Sequence, residues 1–304
     1  MTVPAIQTLD FTLLPETFCE LGESPVWDAA TNALLWADIP RGIIHERRFE
    51  MFAPGEAVRL PGSHRSWTLN GTVGSLGLCR SGRLVVALNR EVGLFDRASG
   101  QYQRLAVLEP DSAPTKLNDG KVGPDGAFWV GSMERARRMR TIGALYRVTA
   151  DGRVEKRVDG LIVSNGLAWT GDGRTMFHSD SRGQWIDRWR FDPATGAMDE
   201  RTRIATPGPE VGRPDGAATD AEGCYWSAGI SAGVLNRYAA DGTLRAKIAA
   251  PTAAPTMPCF AGPDFRTLFV TSLVPEDRPA TRWCGAVFTA RAPVAGIGPF
   301  LFDA

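Results

Sequence analysis

The sequence contains little of what several common kinds of site require. Its five cysteines are far apart and form no CxxC pair, so neither a disulfide framework nor a thiolate zinc site is indicated. Only three histidines occur, and there is no HExxH motif, so a histidine-based zinc site has little support. The 34 basic residues balance the 34 acidic ones, which argues against binding nucleic acid through bulk charge.

Long apolar runs are also missing. No run approaches the roughly 18–20 residues that a membrane-spanning helix needs, and no basic segment opens the chain. The segments around Ser24 and Ser75 do not provide the elbow of a serine hydrolase, and GxGxxG does not follow a strand-like run. We therefore expect a cytoplasmic protein that binds neither membranes nor nucleic acid, with an oligomeric state that the sequence leaves open.

One short phrase recurs along the chain, in which a turn residue precedes a run of apolar, aromatic and β-branched residues. The starts lie 43 to 50 residues apart. The six copies are NALLWADI from Asn32, GRLVVALN from Gly82, GAFWVGSM from Gly126, GRTMFHSD from Gly173, GCYWSAGI from Gly223 and RTLFVTSL from Arg266. No segment sustains the 3.6-residue period that the helices of a βαβ fold would show.

Repeats of this length, each holding several short strands, are typical of propeller blades. The sequence thus predicts an all-β fold, a six-bladed β-propeller forming a single domain over residues 1–304. A strand near one terminus is expected to complete a blade begun at the other, although the pattern does not say which. Buried tryptophans are expected between the blades, and the cysteines are expected to be small core residues.

Four predicted loops, each with glycine and three of them with proline, carry an acid or an amide before a blade's apolar run. They are the segments 21–28, 116–126, 163–169 and 212–220, with Glu23, Asn118, Asn165 and Asp215. Each Asn-Gly or Asp-Gly pair could by itself be a turn. Together, at matching blade positions, they favour a central metal site with oxygen ligands. Such ligands suit calcium, magnesium or manganese, and carboxylates also accept zinc or iron.

These segments resemble the family of senescence marker protein 30, gluconolactonase and luciferin-regenerating enzyme. The resemblance rests on GESPVWD at 22–28, LNDGKVGPDGAFWVGSM at 117–133, SNGLAW at 164–169, RPDGAATDAEGCYW at 213–226 and PCFAGPDFRTLFVTS at 258–272. It implies a six-bladed propeller with one divalent metal ion in the channel. It also implies hydrolysis of sugar-acid lactones as the commonest activity.

Carried over residue by residue, the resemblance implies metal ligands at Glu23, Asn165 and Asp215 and a substrate contact at Asn118. Lys116 stands where animal members have a sugar-binding arginine, which keeps the charge and loses the bidentate fork. The family's glutamate after the GSM segment has no clear equivalent in this chain. The hypothesis for mechanism makes Asp215 the general base toward water, with Lys116 and Asn118 holding sugar hydroxyls.

Other functions remain open at this point. The same site could serve a metal-dependent esterase or phosphotriesterase, and a calcium-binding or ligand-binding propeller without catalysis is a further alternative. A protein-interaction platform would not need acids and amides converging on the channel.

A cluster of basic residues has two interpretations. It consists of Arg135, Arg137, Arg138 and Arg140. Such a cluster is usually a solvated loop face. If it instead covers the channel, with Lys116, His64 and Arg65, it would suit a lactone carrying a phosphate or sulfonate.

Overall fold

The computed structural model describes residues 4–50, 61–110, 112–136 and 138–304, and every regular element in these ranges is a β-strand. The strands form six sheets, and the first strands of neighbouring sheets contact one another around a closed ring. Blades arranged in this way around a channel make a β-propeller. The predicted all-β, six-bladed fold is confirmed. These ranges hold no helix of the length and apolarity that crossing a bilayer would take.

Two short strands precede the blades, and three or four consecutive strands then make each blade. The strands up to the third blade are β1 (Ile6–Gln7), β2 (Thr12–Leu13), β3 (Gly22–Asp28), β4 (Ala33–Asp38), β5 (Ile43–Phe49), β6 (Pro61–Thr68), β7 (Val73–Leu78), β8 (Leu84–Leu88), β9 (Glu91–Phe95), β10 (Tyr102–Val107), β11 (Thr115–Val122), β12 (Phe128–Glu134), β13 (Gly143–Val148) and β14 (Val154–Leu161). Those of the remaining blades are β15 (Ser164–Trp169), β16 (Thr175–Asp180), β17 (Trp185–Phe191), β18 (Met198–Ala205), β19 (Pro214–Thr219), β20 (Tyr225–Gly229), β21 (Val234–Tyr238), β22 (Leu244–Ala249), β23 (Pro255–Ala261), β24 (Thr267–Ser272) and β25 (Phe288–Arg291).

The six-fold sequence repeat corresponds to the second strand of each blade. In every blade a residue with positive φ ends the turn before this strand. These residues are Asn32 (48°), Gly82 (82°), Gly126 (69°), Gly173 (70°), Gly223 (75°) and Phe265 (50°). Glycine and asparagine tolerate this left-handed conformation best, which explains why the repeat phrase opens on them in five blades.

The N-terminus closes the ring. Strand β2 pairs with β25 in antiparallel register, with Thr12 opposite Thr289, and so completes the sixth blade. Strand β1 adds a fifth, parallel strand to the outer edge of the fifth blade. The chain is thus joined at an outer strand, which the sequence pattern did not identify.

The core lies between blades, where aromatic rings from adjacent sheets meet. Trp129 of the third blade contacts Trp169 of the fourth edge-on, with ring centroids 6.1 Å apart, and Phe191 packs against both. Five tryptophans are fully buried: Trp27, Trp36, Trp129, Trp169 and Trp226. All five cysteines are buried and unbridged. The expected inter-blade packing of tryptophan and the core role of cysteine are both confirmed.

The four segments predicted to be loops are instead the first strands of their blades. In each, the pairing register with the second strand shifts within the motif. These shifts lie between Glu23 and Val26, Leu117 and Gly120, Asn165 and Ala168, and Pro214 and Ala217. A bulge adds local twist to a strand and redirects its side chains. Acids and amides therefore reach the channel from inner strands, and the expectation of loops was wrong.

Candidate functional site in the channel

The shifted inner strands bring the predicted residues to one place. Glu23, Asn118, Asn165 and Asp215 line a single cavity of about 240 Å³, here called the channel cavity, and Lys116 lies on the same wall. Glu23, Asn165 and Asp215 are buried, whereas Asn118 and Lys116 are half-buried. The structure thus gathers every site residue that the sequence predicted, from four different blades.

Hydrogen bonds hold the amide of Asn165 in place. Its Nδ2 donates to Oδ1 of Asp215 and also to Oγ of Ser181, 3.1 Å away. Ser181 Oγ in turn donates to the carbonyl of Pro214 at 2.6 Å, which ties the fourth blade to the fifth. These two bonds hold the amide beside Asp215, and its Oδ1 accepts from Gly166 N at 3.0 Å.

Three carboxylates repel one another at the buried side of this cavity. Burial, Asp215 and Asp119 together raise the pKa of Glu23 well above its usual range. Burial and the charge of Asp119 raise the pKa of Asp215 to about 8. Two cations lie nearby. Arg213 opposes the rise in the pKa of Asp215 without cancelling it. Lys121 Nζ donates to the carbonyl of Ala217 at 2.6 Å, and burial lowers its pKa. The cluster therefore carries more negative potential than its surroundings neutralise.

Asp119 is a member that sequence reasoning missed. Its Oδ2 accepts a hydrogen bond from Leu167 N at 3.1 Å, while its buried Oδ1 has no partner among the described residues. An unpaired buried carboxylate oxygen is costly unless a cation joins it. Its sequence signal was the LNDG motif, in which Asp119 and Gly120 look like an ordinary turn.

These donors fit a divalent cation. Carboxylate and amide oxygens are hard ligands, and their mutual repulsion in a buried site is relieved by positive charge. The close packing of the backbone beside Asn165 is a second observation in favour of a site. Gly166 has φ +61°, and a Cβ on it would lie 2.3 Å from Tyr225 Oη and 2.4 Å from Ser179 Oγ. Only glycine fits next to Asn165 at this crowded point of the ring.

The basic loop does not cover the channel. Arg135 and Arg138 are exposed and do not line the channel cavity, and Arg140 pairs with Glu134, its Nε 2.6 Å from Oε1. Arg137 lies outside the described residues. Met139 is the residue of this loop that reaches the cavity wall.

The other two residues of that hypothesis lie on the outermost strand of the first blade. Arg65 pairs with Glu46 at 3.0 Å, and His64 contacts His45, with Nε2 3.2 Å from Nδ1. Neither side chain lines the channel cavity. Of the basic residues proposed to contact an anionic substrate, Lys116 alone is in position among the described residues.

Three further side chains lie together inside the first blade. Cys19, Asp38 and His45 offer ligand atoms within 4.8 Å of one another. Burial and Asp38 raise the pKa of the Cys19 thiol to about 12, and Trp36 Nε1 donates to its sulfur at 3.4 Å. Asp38 accepts from two backbone amides. These partners account for the cluster as part of the blade's packing.

The chain contains a GxSxG sequence outside the segments around Ser24 and Ser75. It is GISAG, residues 229–233, and Ser231 lies in the hairpin turn between β20 and β21. A nucleophile elbow requires a strand leading into a helix, whereas here a strand follows. Ser231 Oγ accepts a hydrogen bond from Arg213 N at 2.9 Å. The motif is therefore a turn and not a serine nucleophile.

The structure defines the protein as a six-bladed β-propeller whose channel is lined by buried acids and amides. Residues 21–274 match the family described as the SMP-30/Gluconolactonase/LRE-like region, and the chain belongs to this family. The resemblance seen in the sequence motifs is thus confirmed.

Relatives span nearly the whole chain. The 6-deoxy-6-sulfogluconolactonase of Pseudomonas putida is 36% identical over 291 residues, which cover 93% of this chain and 94% of that protein. The pentonolactonase XacC of Haloferax volcanii is 30% identical over 261 residues, covering 86% and 84%. Among solved structures, regucalcin of Agrobacterium tumefaciens, described as a calcium-binding protein, has a TM-score of 0.89 at 27% identity, over 99% of this chain and all of that one.

Proposed function

We propose that this chain hydrolyses the lactone of a sugar acid to the free acid, with a divalent cation held by Glu23, Asn165 and Asp215. The observation that carries the proposal is the buried group of carboxylates on the channel cavity, in which the pKa values of Glu23 and Asp215 stay raised although Lys121 and Arg213 lie nearby, and Oδ1 of Asp119 has no partner among the described residues. The lactonase names of the relatives from P. putida and H. volcanii support the substrate class. The calcium-binding description of the Agrobacterium structure supports a divalent ion.

A cation in this position would polarise the lactone carbonyl and lower the pKa of a water molecule, a contribution of several kcal/mol. The residues then divide the work. Asn165 is held by Asp215 and Ser181, so that its Oδ1 is a ready ligand. Asp119, whose Oδ1 has no partner, adds negative charge beside the ligands.

Asp215 has a second role in the proposal. Its Oδ1 accepts from Asn165, and Oδ2 takes a proton from the attacking water. As the ring C–O bond breaks, this proton passes to the ring oxygen. One water is consumed, and one carboxylic acid and one hydroxyl group are formed.

Asn118 and Lys116 bind the sugar. The Nδ2 of Asn118 donates to the carbonyl of Ser164 at 3.0 Å, which orients the amide and leaves its oxygen to accept from a hydroxyl. Lys116 supplies a compact charge on the same wall. Loss of either contact should raise KM more than it lowers kcat, because neither group touches the carbonyl.

The test is acid release from γ- and δ-aldonolactones by chelator-treated protein, with calcium, magnesium, manganese, zinc or ferrous iron added back. We expect one cation to restore hydrolysis above the spontaneous rate. Glu23→Gln should lose about 10²–10³-fold, the equivalent of several kcal/mol. Asp303→Asn, an exposed carboxylate on the C-terminal segment, is the control that should keep full activity.

Two results would contradict the proposal. Full activity in Glu23→Gln would show that hydrolysis does not depend on a cation bound by Glu23. Faster hydrolysis of an aryl ester or a phosphotriester than of every lactone would assign the site to the esterase or phosphotriesterase alternative.

A further inference from the structure

Two arginines lie near each other on one wall of the channel cavity. Arg182 directly follows Ser181, and Arg213 directly precedes Pro214, so the Ser181–Pro214 hydrogen bond holds the two backbone segments side by side. Both line the channel cavity. Among the described residues neither guanidinium makes an ion pair or a hydrogen bond, although the backbone amide of each is engaged.

Other arginines near the channel are committed to the fold. Arg278, on the same cavity, donates to the carbonyls of Ile230 and Ala253 and to the carboxylate of Asp277. Asp277 and Asp215 attract Arg213 from a distance, but neither makes an ion pair or a hydrogen bond with its guanidinium. Two neighbouring guanidiniums that lack hydrogen-bonded partners are stabilised when an anion binds between them.

The pair lies between two cavities. Arg182, Arg213 and Met139 line the channel cavity and also a shallow depression of about 390 Å³. Gln184 and Ser231 add polar groups to the wall of this depression, here called the side depression. If the lactone carbonyl meets the buried carboxylates, the far end of the sugar chain would face another part of the wall of the same cavity, which includes Arg182 and Arg213 as well as Asp277.

We propose that Arg182 and Arg213 form a subsite for a tetrahedral anionic group, a sulfonate or a phosphate, carried at the end of the sugar chain remote from the lactone carbonyl. The inference rests on the proposed lactonase function and narrows its substrate class. Arginine forks suit such groups, because several oxygens can each accept an N–H. Sulfonate and phosphate present the same arrangement of oxygens to the pair.

The experiment compares kcat/KM for three δ-lactones of gluconic acid: the neutral lactone, its 6-phosphate and its 6-deoxy-6-sulfonate. Wild-type protein should prefer one or both charged lactones. The double variant Arg182→Gln/Arg213→Gln should lose about 10- to 100-fold on the charged lactones, mainly through KM, because charge-assisted hydrogen bonds are removed. On the neutral lactone, which has no anion to contact, the loss should stay below about threefold.

Arg138→Gln is the matched control, since this arginine is exposed, lies next to Met139 and does not line either cavity. It should leave all three rates unchanged. Comparing kcat/KM for the 6-phosphate and the 6-deoxy-6-sulfonate shows which anionic group the subsite prefers. Inorganic sulfate and phosphate, tested as inhibitors, should compete with substrate in wild-type protein and not in the double variant.

The outcomes separate the two proposals. If the neutral lactone is hydrolysed and the charged lactones show no preference, or if the double variant loses equally on all three, the anion subsite is wrong and the lactonase function stands. If no lactone is hydrolysed with any cation, the lactonase function itself fails. If only Arg138→Gln lowers kcat/KM on the charged lactones, the anion binds to the basic loop and the proposed subsite is wrong.

Discussion

Replacing Asp215 with asparagine should stabilise the metal-free protein while destroying its response to metal. Burial and Asp119 raise the pKa of this carboxyl from 3.8 to about 8. The folded state thus holds a proton that the unfolded state releases above pH 3.8, so stability falls as pH rises from 3.8 to 8. At pH 7 linkage gives a cost of about 4 kcal/mol, and at pH 5 about 2 kcal/mol. An asparagine side chain does not titrate and so avoids this cost, and its amide oxygen still accepts the hydrogen bond from Asn165.

The assay is urea unfolding of chelator-treated protein at 25 °C, followed by circular dichroism at pH 7 and pH 5. We expect Asp215→Asn to be more stable than wild type at pH 7, by up to about 4 kcal/mol, with a smaller gain at pH 5. Added cation should stabilise wild type through binding to the folded state and leave the variant nearly unchanged.

Asp220 provides the matched control on the same blade. It is fully buried, and its Oδ2 accepts from Arg237 Nε at 2.7 Å. Asp220→Asn weakens the pairing of the half-buried Arg237 and should destabilise the protein by about 3 kcal/mol, the opposite sign. Destabilisation of metal-free Asp215→Asn at pH 7 would refute the view that the channel carboxylates repel one another.

Two further predictions concern stability alone. Arg97 joins the first two blades by pairing with two buried carboxylates, Asp28 at 2.8 Å and Glu46 at 3.3 Å, so Arg97→Ala should lower the free energy of unfolding in urea by about 3 kcal/mol. Arg80→Ala, which removes an exposed ion pair, should lower it by less than about 1 kcal/mol, and equal losses would contradict the bridging role of Arg97. His178 is buried neutral, and burial lowers its pKa from 6.5 to about 3, so the stability that it contributes above pH 6.5 is lost as pH falls. Wild type should lose about 2 kcal/mol more than His178→Gln between pH 7 and pH 5, and parallel losses would rule this out.

Much of the architecture could be read from the sequence because the blades repeat. The residue that opens each apolar run needs a left-handed backbone, and five of the six are glycine or asparagine. The outer strand that closes the ring carries no such mark, since β2 is only two residues long. Its pairing with β25 depends on the sheet already formed, which a local pattern does not encode.

Part of the site could be predicted from the sequence for the same reason. Glu23, Asn165 and Asp215 stand at matching positions of their blades, so their convergence followed from the repeat. The motifs were expected to be loops because Asn-Gly and Asp-Gly pairs are common in turns. Here Asp119-Gly120, Asn165-Gly166 and Asp215-Gly216 lie at bulges of inner strands, where a Cβ on the glycine would collide with its neighbours. Asp125-Gly126, in contrast, is the turn that leads into the second strand.

Residues that the tertiary structure alone assembles were missed. Asp119 was hidden within a turn-like pair, and its role depends on an oxygen left without a partner. Arg182 and Arg213 come from different blades and share no motif. They meet because Ser181 hydrogen-bonds to the carbonyl of Pro214 across the blade boundary.

The central claim is that the channel carboxylates hold the cation on which lactone hydrolysis depends. The most direct test titrates the activating cation into chelator-treated protein, with turnover and unfolding midpoint followed on the same samples. The account predicts that both rise with the same half-saturating concentration, and that Glu23→Gln shifts or abolishes both together. Lactone hydrolysis that persists at full rate in chelator would contradict the account. So would a Glu23→Gln variant in which the cation concentration for half-maximal activity changes independently of that for half-maximal stabilisation.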